Sequence, residues 1–122
     1  MLASGTLRIE KFSFGSIRID GQTYEHDLVI DRGEIQKRKK KASKPYRDAF
    51  RHTPLSVKEN IPWRCRRLVI GTGAEGLLPV MDEVRDEARE RNVELISVPT
   101  EEAIAILNRG DKATNAVLHV TC

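Results

Sequence analysis

The fold is decided by the stretch Arg67-Leu68-Val69-Ile70-Gly71-Thr72-Gly73, in which a short apolar run ends at two glycines. Such a run predicts a buried strand followed by a tight turn. After it, Pro79 predicts the start of a helix whose apolar side is Leu77, Met81, Val84 and Ala88. Then come a strand over residues 93–98, a second helix at Pro99-Thr100-Glu101-Glu102 with Thr100 as its N-cap, and a closing strand over residues 116–120. This alternation predicts right-handed βαβ crossovers and a parallel sheet.

The residues before this unit predict antiparallel strands. Residues 7–14 and 16–20 alternate apolar and polar side chains, with turns at Gly15 and Asp20-Gly21, and residues 28–30 add a third apolar run. We expect this meander, residues 1–36, to extend the parallel sheet with antiparallel pairs. The predicted fold class is α/β: a single domain over residues 1–122 with a mixed sheet, in which an N-terminal antiparallel meander joins a C-terminal βαβαβ parallel unit within the α/β part, residues 52–122.

Composition narrows the class of protein. Of the 122 residues, 39% are hydrophobic and 32% are charged with nearly balanced signs, which argues against a disordered polyelectrolyte and against a membrane protein. No apolar run is long enough for a bilayer-spanning helix, and the first ten residues lack the pattern of a secretion signal, so we expect a cytoplasmic protein. Two cysteines are too few for a disulfide framework.

Residues 37–51 form a basic segment. It carries eight cations and one acid, a net charge of +7, whereas the whole chain carries +3. We expect a loop or hairpin tip here, followed by a short helix from Thr53-Pro54 to about Asn60. The candidate nucleic-acid contacts are Lys37, Arg38, Lys39, Lys40, Lys41, Lys44 and Arg47. Only Tyr46 and Phe50 offer stacking surfaces nearby, so a solvated segment that blunts a sheet edge is the favoured interpretation.

A glycine pattern follows the first strand of the parallel unit. Gly71-Thr72-Gly73-Ala74-Glu75-Gly76 has the spacing that lets backbone amides approach a phosphate. The acid of a dinucleotide site is missing, because Val98-Pro99-Thr100 stands at the end of the second strand. A small-anion site and a purely structural turn remain open. The candidate ligand-binding residues are Gly71, Thr72, Gly73, Gly76 and His52.

Nitrogen and sulfur chemistry has few candidates. These are His26, His52, His119, Cys65 and Cys122. His119 and Cys122 are three residues apart, and on a strand their side chains would point to opposite faces. The sequence therefore predicts no catalytic residue, no metal site and no cofactor.

An ordered set of motifs in this chain resembles a known family. The set comprises the β meander, Gly71-Thr72-Gly73, Leu78-Pro79, Val98-Pro99-Thr100 with Ala103 and Asn108, and the ending His119-Val120-Thr121-Cys122. It resembles the small domain-of-unknown-function family that includes the adipogenesis-associated domain protein and a mitochondrial complex I assembly factor, and the ending is similar to that of microbial members. Many members carry a tryptophan after the meander, where this chain has the basic segment.

The resemblance implies a three-layer α/β domain, cytoplasmic in microbes and without an established enzyme activity, whose mitochondrial relatives assemble or adapt other proteins. The first functional hypothesis is therefore a non-enzymatic interaction domain whose partner is another protein or a second copy of this chain. In this hypothesis, residues Gly71 to Gly76 of the domain also bind a small anion. A small nucleotide- or phosphate-binding enzyme using the same glycines is the second hypothesis. Nucleic-acid binding through residues 37–51 is the third.

Overall fold

The computed structural model describes residues 7–110 and 113–122, and within them the chain forms eight strands in two sheets. The strands are β1 (Ile9–Ser13), β2 (Ser16–Ile19), β3 (Gln22–Tyr24), β4 (Leu28–Asp31), β5 (Glu34–Lys37), β6 (Arg67–Thr72), β7 (Glu94–Val98) and β8 (Thr114–His119). The helices are a 3-10 helix (Lys40–Tyr46), α1 (Arg47–Phe50), α2 (Asp82–Glu90) and α3 (Thr100–Asn108). The small sheet has the order β1-β2-β3, and the main sheet has the order β5-β4-β8-β6-β7.

The C-terminal half forms the predicted parallel unit. β6 pairs in parallel with both β7 and β8, so that Val69 lies opposite Ile96 and Ala116. Val84 of α2 belongs to the apolar cluster on one face of the main sheet, whereas Ala103 of α3 belongs to the cluster on the other face. The βαβαβ unit and its cover on both faces are therefore confirmed.

The N-terminal strands divide between the two sheets. β4 pairs antiparallel with β5 and with β8, so this hairpin extends the main sheet as expected. The expectation that the whole meander does so is wrong, because β1, β2 and β3 pair only with one another in the described chain. Ile17 and Ile19 are buried in the same cluster as Ala103, so the small sheet covers the α3 side of the main sheet. Asp20 and Gly21 both have positive φ, 48° and 84°, which confirms the predicted tight turn.

The basic segment is not the expected loop. Its first residue, Lys37, ends β5, and most of the rest is helical, in the 3-10 helix and α1. The helix expected from Thr53 to Asn60 is also wrong. Leu55 lies in extended chain instead: its N–H donates to Pro79 O (2.9 Å), its C=O accepts from Met81 N (3.0 Å), and its side chain is fully buried. Tertiary contacts of one apolar side chain thus override a local helix-start signal.

The helix start predicted at Pro79 and the N-cap predicted at Thr100 are also wrong. α2 begins at Asp82 rather than at Pro79, and Leu77 lies outside it with 48% of its surface exposed. Thr100 does not cap α3; it is the first residue of that helix, and its hydroxyl bonds to other elements. None of the described helices is long and apolar enough to cross a bilayer.

Candidate functional site

The glycine bend, residues 71–76, lies at the carboxyl end of β6, against residues 119–122. Gly73 N–H donates to Thr100 Oγ1 (2.9 Å), Ala74 N–H donates to Thr121 O (2.7 Å), and Leu77 N–H donates to Cys122 O (2.9 Å). The sequence predicts that backbone amides of this bend bind an anion, but in the structure these three amides donate to acceptors within the chain. An anion could reach them only by displacing Thr100, Thr121 or Cys122, and ligand binding at the bend stays a prediction.

The close approach of the Cys122 backbone explains why position 73 needs a glycine. A Cβ added there would lie 2.2 Å from the carbonyl carbon of Cys122, and Gly73 has a φ of 106° that side chains disfavour. Thr100 secures the same corner, because its hydroxyl donates to His119 O (2.7 Å) while it accepts from Gly73 N–H. The bend is thus a tight junction between β6, α3 and the end of β8.

His52 reaches this junction from a distant part of the chain. Its Nδ1 lies 3.6 Å from Cys122 Sγ, and Cys122 in turn contacts Gly73. Gly76 stands further along the bend, where an added Cβ would lie 3.4 Å from Pro99 Cγ. Of the predicted ligand residues, Gly71, Thr72 and Gly73 therefore lie together at the bend, and His52 approaches them through Cys122.

Next to the junction lies a buried ionic cluster of Asp27, Arg38, Glu59 and His119. The Arg38 guanidinium donates to both Glu59 oxygens (2.8 Å each), to Asp27 Oδ2 (2.9 Å) and to Pro54 O (3.0 Å). Only 1% of the Arg38 side chain is exposed, against 7% for Asp27 and 4% for Glu59. The choice of Arg38 as a surface contact for nucleic acid is therefore corrected: its charge is enclosed and paired.

Asp27 joins the cluster to β8. Its Oδ2 accepts from His119 Nδ1 (2.8 Å), and its Oδ1 accepts from Val120 N–H (3.0 Å). Burial by itself would raise the pKa of Asp27, but the hydrogen bond and charge of His119, the Val120 amide and the Arg38 charge outweigh it and lower the pKa to about 2. Asp27 is therefore an ionised carboxylate at neutral pH, fixed between two strands.

His119 and Cys122 come together, contrary to the sequence argument that placed them on opposite faces. β8 ends at His119, so strand alternation does not reach Cys122. The chain turns after the strand and sets Cys122 Sγ 3.9 Å from His119 Nε2. The structure thus lines up a carboxylate, an imidazole and a thiol: Asp27, His119 and Cys122. No group of three or more His, Cys, Asp or Glu side chains among the described residues is arranged to hold a metal ion.

The other cations of the basic segment are solvent-exposed. Lys37 and Lys39 lie at the end of β5 and just after it, and the other exposed cations follow on the two short helices: Lys40, Lys41, Lys44 and Arg47. The predicted nucleic-acid contacts therefore all lie on the surface, except Arg38.

A groove runs beside β5 on the α2 side of the main sheet. It consists of two clefts, of about 240 and 260 Å³, that share Val29, Gln36, Asn60 and Ile61. We call it the β5 groove. One end opens beside Lys37 and Lys39, and the other end is lined by Asp31, Arg32, Pro62, Trp63, Arg64 and Arg91. Trp63 is half-buried, and the Arg91 guanidinium lies 5.4 Å from its ring centroid.

One buried amide holds the walls of the groove together. Asn115 Oδ1 accepts from Arg32 N–H (2.8 Å) in the β4–β5 turn, and Asn115 Nδ2 donates to Pro62 O (2.9 Å) and Arg64 O (3.2 Å) on the opposite wall. The groove is therefore set by hydrogen bonds within the fold and does not need a ligand to form.

The groove is positively charged. Its lining includes five cations and two acids, and both acids already have partners, Asp31 with Arg32 and Glu59 with Arg38. Lys37, Lys39 and Arg64 make no ion pair within residues 7–110 and 113–122. The charge that faces an incoming ligand is therefore cationic.

Comparison with known proteins places this fold. A model of a family of proteins of unknown function, DUF498/DUF598, matches residues 9–118. The chain belongs to this family. The resemblance inferred from the sequence motifs is thereby confirmed. Among curated proteins, none matches the chain.

Solved structures of similar proteins agree with this assignment. The conserved hypothetical protein PH1505 from Pyrococcus horikoshii OT3 is 31% identical, with a TM-score of 0.80 over 94% of this chain and 99% of that one. A protein titled MT938 is 22% identical, with a TM-score of 0.71 over 95% of this chain and 99% of that one. A Bordetella pertussis protein described as a Mth938-like domain is 13% identical, with a TM-score of 0.62 over 98% and 89% of the two chains. The last two show likeness of fold alone.

Sequence reasoning missed the residues that organise this DUF498/DUF598 domain. Asp27 and Glu59 were not singled out, because most carboxylates of the chain lie on solvated surfaces. Asn115 did carry a signal, since it is a polar residue at the start of the apolar run Ala116-Val117-Leu118. A buried amide in such a run needs hydrogen-bond partners, and here those partners are the two groove walls.

Proposed function

We propose that this chain is a non-enzymatic cytoplasmic interaction domain that binds an extended acidic segment of a partner protein in the β5 groove. The observation that carries the proposal is the preformed groove, in which a half-buried Trp63 lies beside cations that have no internal partner among the described residues. Aromatic and arginine side chains are the residue types that dominate protein interfaces. The free cysteines Cys65 and Cys122 suit a reducing compartment.

The groove suits an extended segment rather than a compact ligand. Its two clefts are continuous, and β5, at the edge of the main sheet, forms one side. Carboxylates along that segment would meet Lys37 and Lys39 at one end and Arg64 at the other. Charge complementarity of this kind speeds encounter and fixes orientation.

Trp63 gives a direct readout, because it is the only tryptophan in the sequence. The experiment selects binders from two displayed peptide libraries, one biased to Asp and Glu and one to Lys and Arg, and titrates the enriched peptides against Trp63 fluorescence. We expect enrichment from the acidic library and saturable fluorescence changes. Arg64→Glu should weaken binding by about tenfold or more, since like charges at an interface cost over a kcal/mol.

The matched control is Arg18→Glu, which makes the same charge change on the small sheet, away from the groove. It should leave peptide affinity within about twofold, the small change expected of a charge outside the interface. Failure to enrich acidic peptides, or equal loss of binding in the two variants, would refute the proposal. Binding of a second copy of this chain also stays a prediction, and sedimentation velocity of the wild-type chain against Arg64→Glu tests whether it uses the same groove.

Nucleic-acid binding is a second candidate, favoured by the exposed cations that follow β5. Lys40, Lys41 and Lys44 lie outside the groove lining, so their replacement by Ser separates the two functions. If this surface binds phosphates, affinity for single-stranded RNA falls steeply with salt and the triple variant lowers the salt slope by about 2 to 3. A flat salt response removes this candidate.

A further inference from the structure

We propose that Cys122 is a reactive thiol, with His119 as its base and Asp27 as the residue that positions His119, and that it forms mixed disulfides with low-molecular-weight disulfides. The evidence is the alignment of three functional groups that the groove does not use. Asp27 Oδ2 lies 2.8 Å from His119 Nδ1, and His119 Nε2 lies 3.9 Å from Cys122 Sγ. A nucleophile, a base and a group that orients the base are the parts that thiol activation needs.

The tautomer of neutral His119 follows from its partners. Asp27 is ionised and can only accept hydrogen bonds, so Nδ1 carries the proton that it donates to Asp27. In the neutral imidazole this leaves the lone pair on Nε2, the nitrogen that faces Cys122. The Thr121 hydroxyl also lies 3.1 Å from Nε2, so the thiol and this hydroxyl share one acceptor.

A second imidazole flanks the sulfur. His52 Nδ1 lies 3.6 Å from Cys122 Sγ, so the thiol sits between two histidines from different parts of the fold. The absence of a side chain at Gly73 makes room for this arrangement, because an added Cβ would lie 2.9 Å from His119 Cδ2 as well as against the Cys122 backbone. Cys122 is half-buried and so retains access to small reagents.

The reaction is thiol–disulfide exchange. The proton on Cys122 Sγ passes to His119 Nε2, and the thiolate attacks one sulfur of the disulfide RSSR. The S–S bond of the reagent breaks as the new S–S bond forms, and the leaving thiolate RS⁻ takes the proton from His119. The products are the mixed disulfide at Cys122 and one RSH, so the reagent itself is the oxidant and no other co-reactant is needed.

Cys65 provides an internal reference in the same molecule. Burial raises the pKa of the Cys65 thiol, and its Sγ lies 3.5 Å from Pro62 O with no histidine among its hydrogen-bond partners in the described chain. The experiment treats the folded chain with oxidised glutathione across pH 5 to 9 and follows each cysteine by peptide mass spectrometry. We expect Cys122 to react about tenfold or more faster than Cys65, with a rate that persists to lower pH.

Two histidine variants test whether the reaction rate of Cys122 depends on His119. His119→Gln should lower the Cys122 rate by about tenfold and shift its pH profile to that of the urea-unfolded chain, whereas His26→Gln, which removes a histidine without touching Cys122, should leave both unchanged. The comparison of folded with urea-unfolded wild-type chain needs no variant to fold. The proposal is overturned if Cys122 reacts no faster folded than unfolded, if Cys65 reacts first, or if His119→Gln leaves the pH profile in place.

Discussion

Replacing Arg38 by Met tests whether the buried ionic cluster of Asp27, Arg38, Glu59 and His119 depends on its arginine. Arg38 makes four hydrogen bonds of 2.8 to 3.0 Å to Glu59, Asp27 and the Pro54 carbonyl, and its side chain is 1% exposed. Met fills a similar volume but leaves Glu59 buried without its counter-ion and leaves Asp27 with His119 as its remaining side-chain partner. Removing one partner of such a buried pair costs about 3 to 5 kcal/mol, and we expect a loss in that range at pH 7.5.

The assay is urea unfolding followed by circular dichroism at pH 7.5 and pH 5. Because protonation of one orphaned carboxylate relieves the buried charge, the gap between wild type and Arg38→Met should narrow at the lower pH. Arg18→Met is the control, since it removes an Arg–Glu10 pair of 3.1 Å whose side chains are 50% and 42% exposed, and should cost at most about 1 kcal/mol. The reasoning is refuted if the two variants lose equal stability, or if the stability difference between wild type and Arg38→Met is the same at pH 7.5 and pH 5.

Two further predictions concern stability. The pKa of Asp27 is lowered from 3.8 to about 2, so its ionised form stabilises the fold above pH 4 by about 2 kcal/mol and this contribution disappears as pH falls towards 2. The stability difference between wild type and Asp27→Asn, measured by urea unfolding, should shrink by about 1 kcal/mol between pH 6 and pH 3; a constant difference would contradict this. Gly73→Ala and Gly110→Ala both place a side chain at positive φ, but within residues 7–110 and 113–122 only the first meets another atom, the Cys122 carbonyl carbon at 2.2 Å. By the same assay, we expect Gly110→Ala to lower the free energy of unfolding by about 1 kcal/mol and Gly73→Ala to lower it by at least about 3 kcal/mol. Similar losses in the two variants would show that the residues around Gly73 shift to accommodate the added Cβ.

Local patterns predicted the strands and tight turns that depend on neighbouring residues alone. The run Leu68-Val69-Ile70 before Gly71 and the turn Asp20-Gly21 are set by short-range chemistry, and both formed as predicted. Thr53-Pro54 shows the limit. Its helix-start signal is genuine, but burial of Leu55 beside Val80 stabilises an extended chain, and that contact lies 25 residues away along the sequence.

The candidate sites were harder to predict because they assemble across the chain. Arg38 and Lys39 are adjacent cations, yet one is enclosed by two carboxylates and the other lines the groove. Nothing in a run of basic residues distinguishes them. Likewise His119 and Cys122 meet only because β8 ends at His119, and strand ends are the least certain feature of a sequence-based assignment.

The position of β8 affects how the chain folds during its synthesis. β8 lies between β4 and β6, so the early hairpin and the β6–β7 pair share no strand contact until the last strand arrives. Asp27 likewise cannot form its hydrogen bonds to His119 and Val120, which lie 92 and 93 residues further along the chain, until those residues have been synthesised. Until residues 114–120 leave the ribosome, β4 and β6 each lack their neighbour β8, so the main sheet can be completed only late in synthesis.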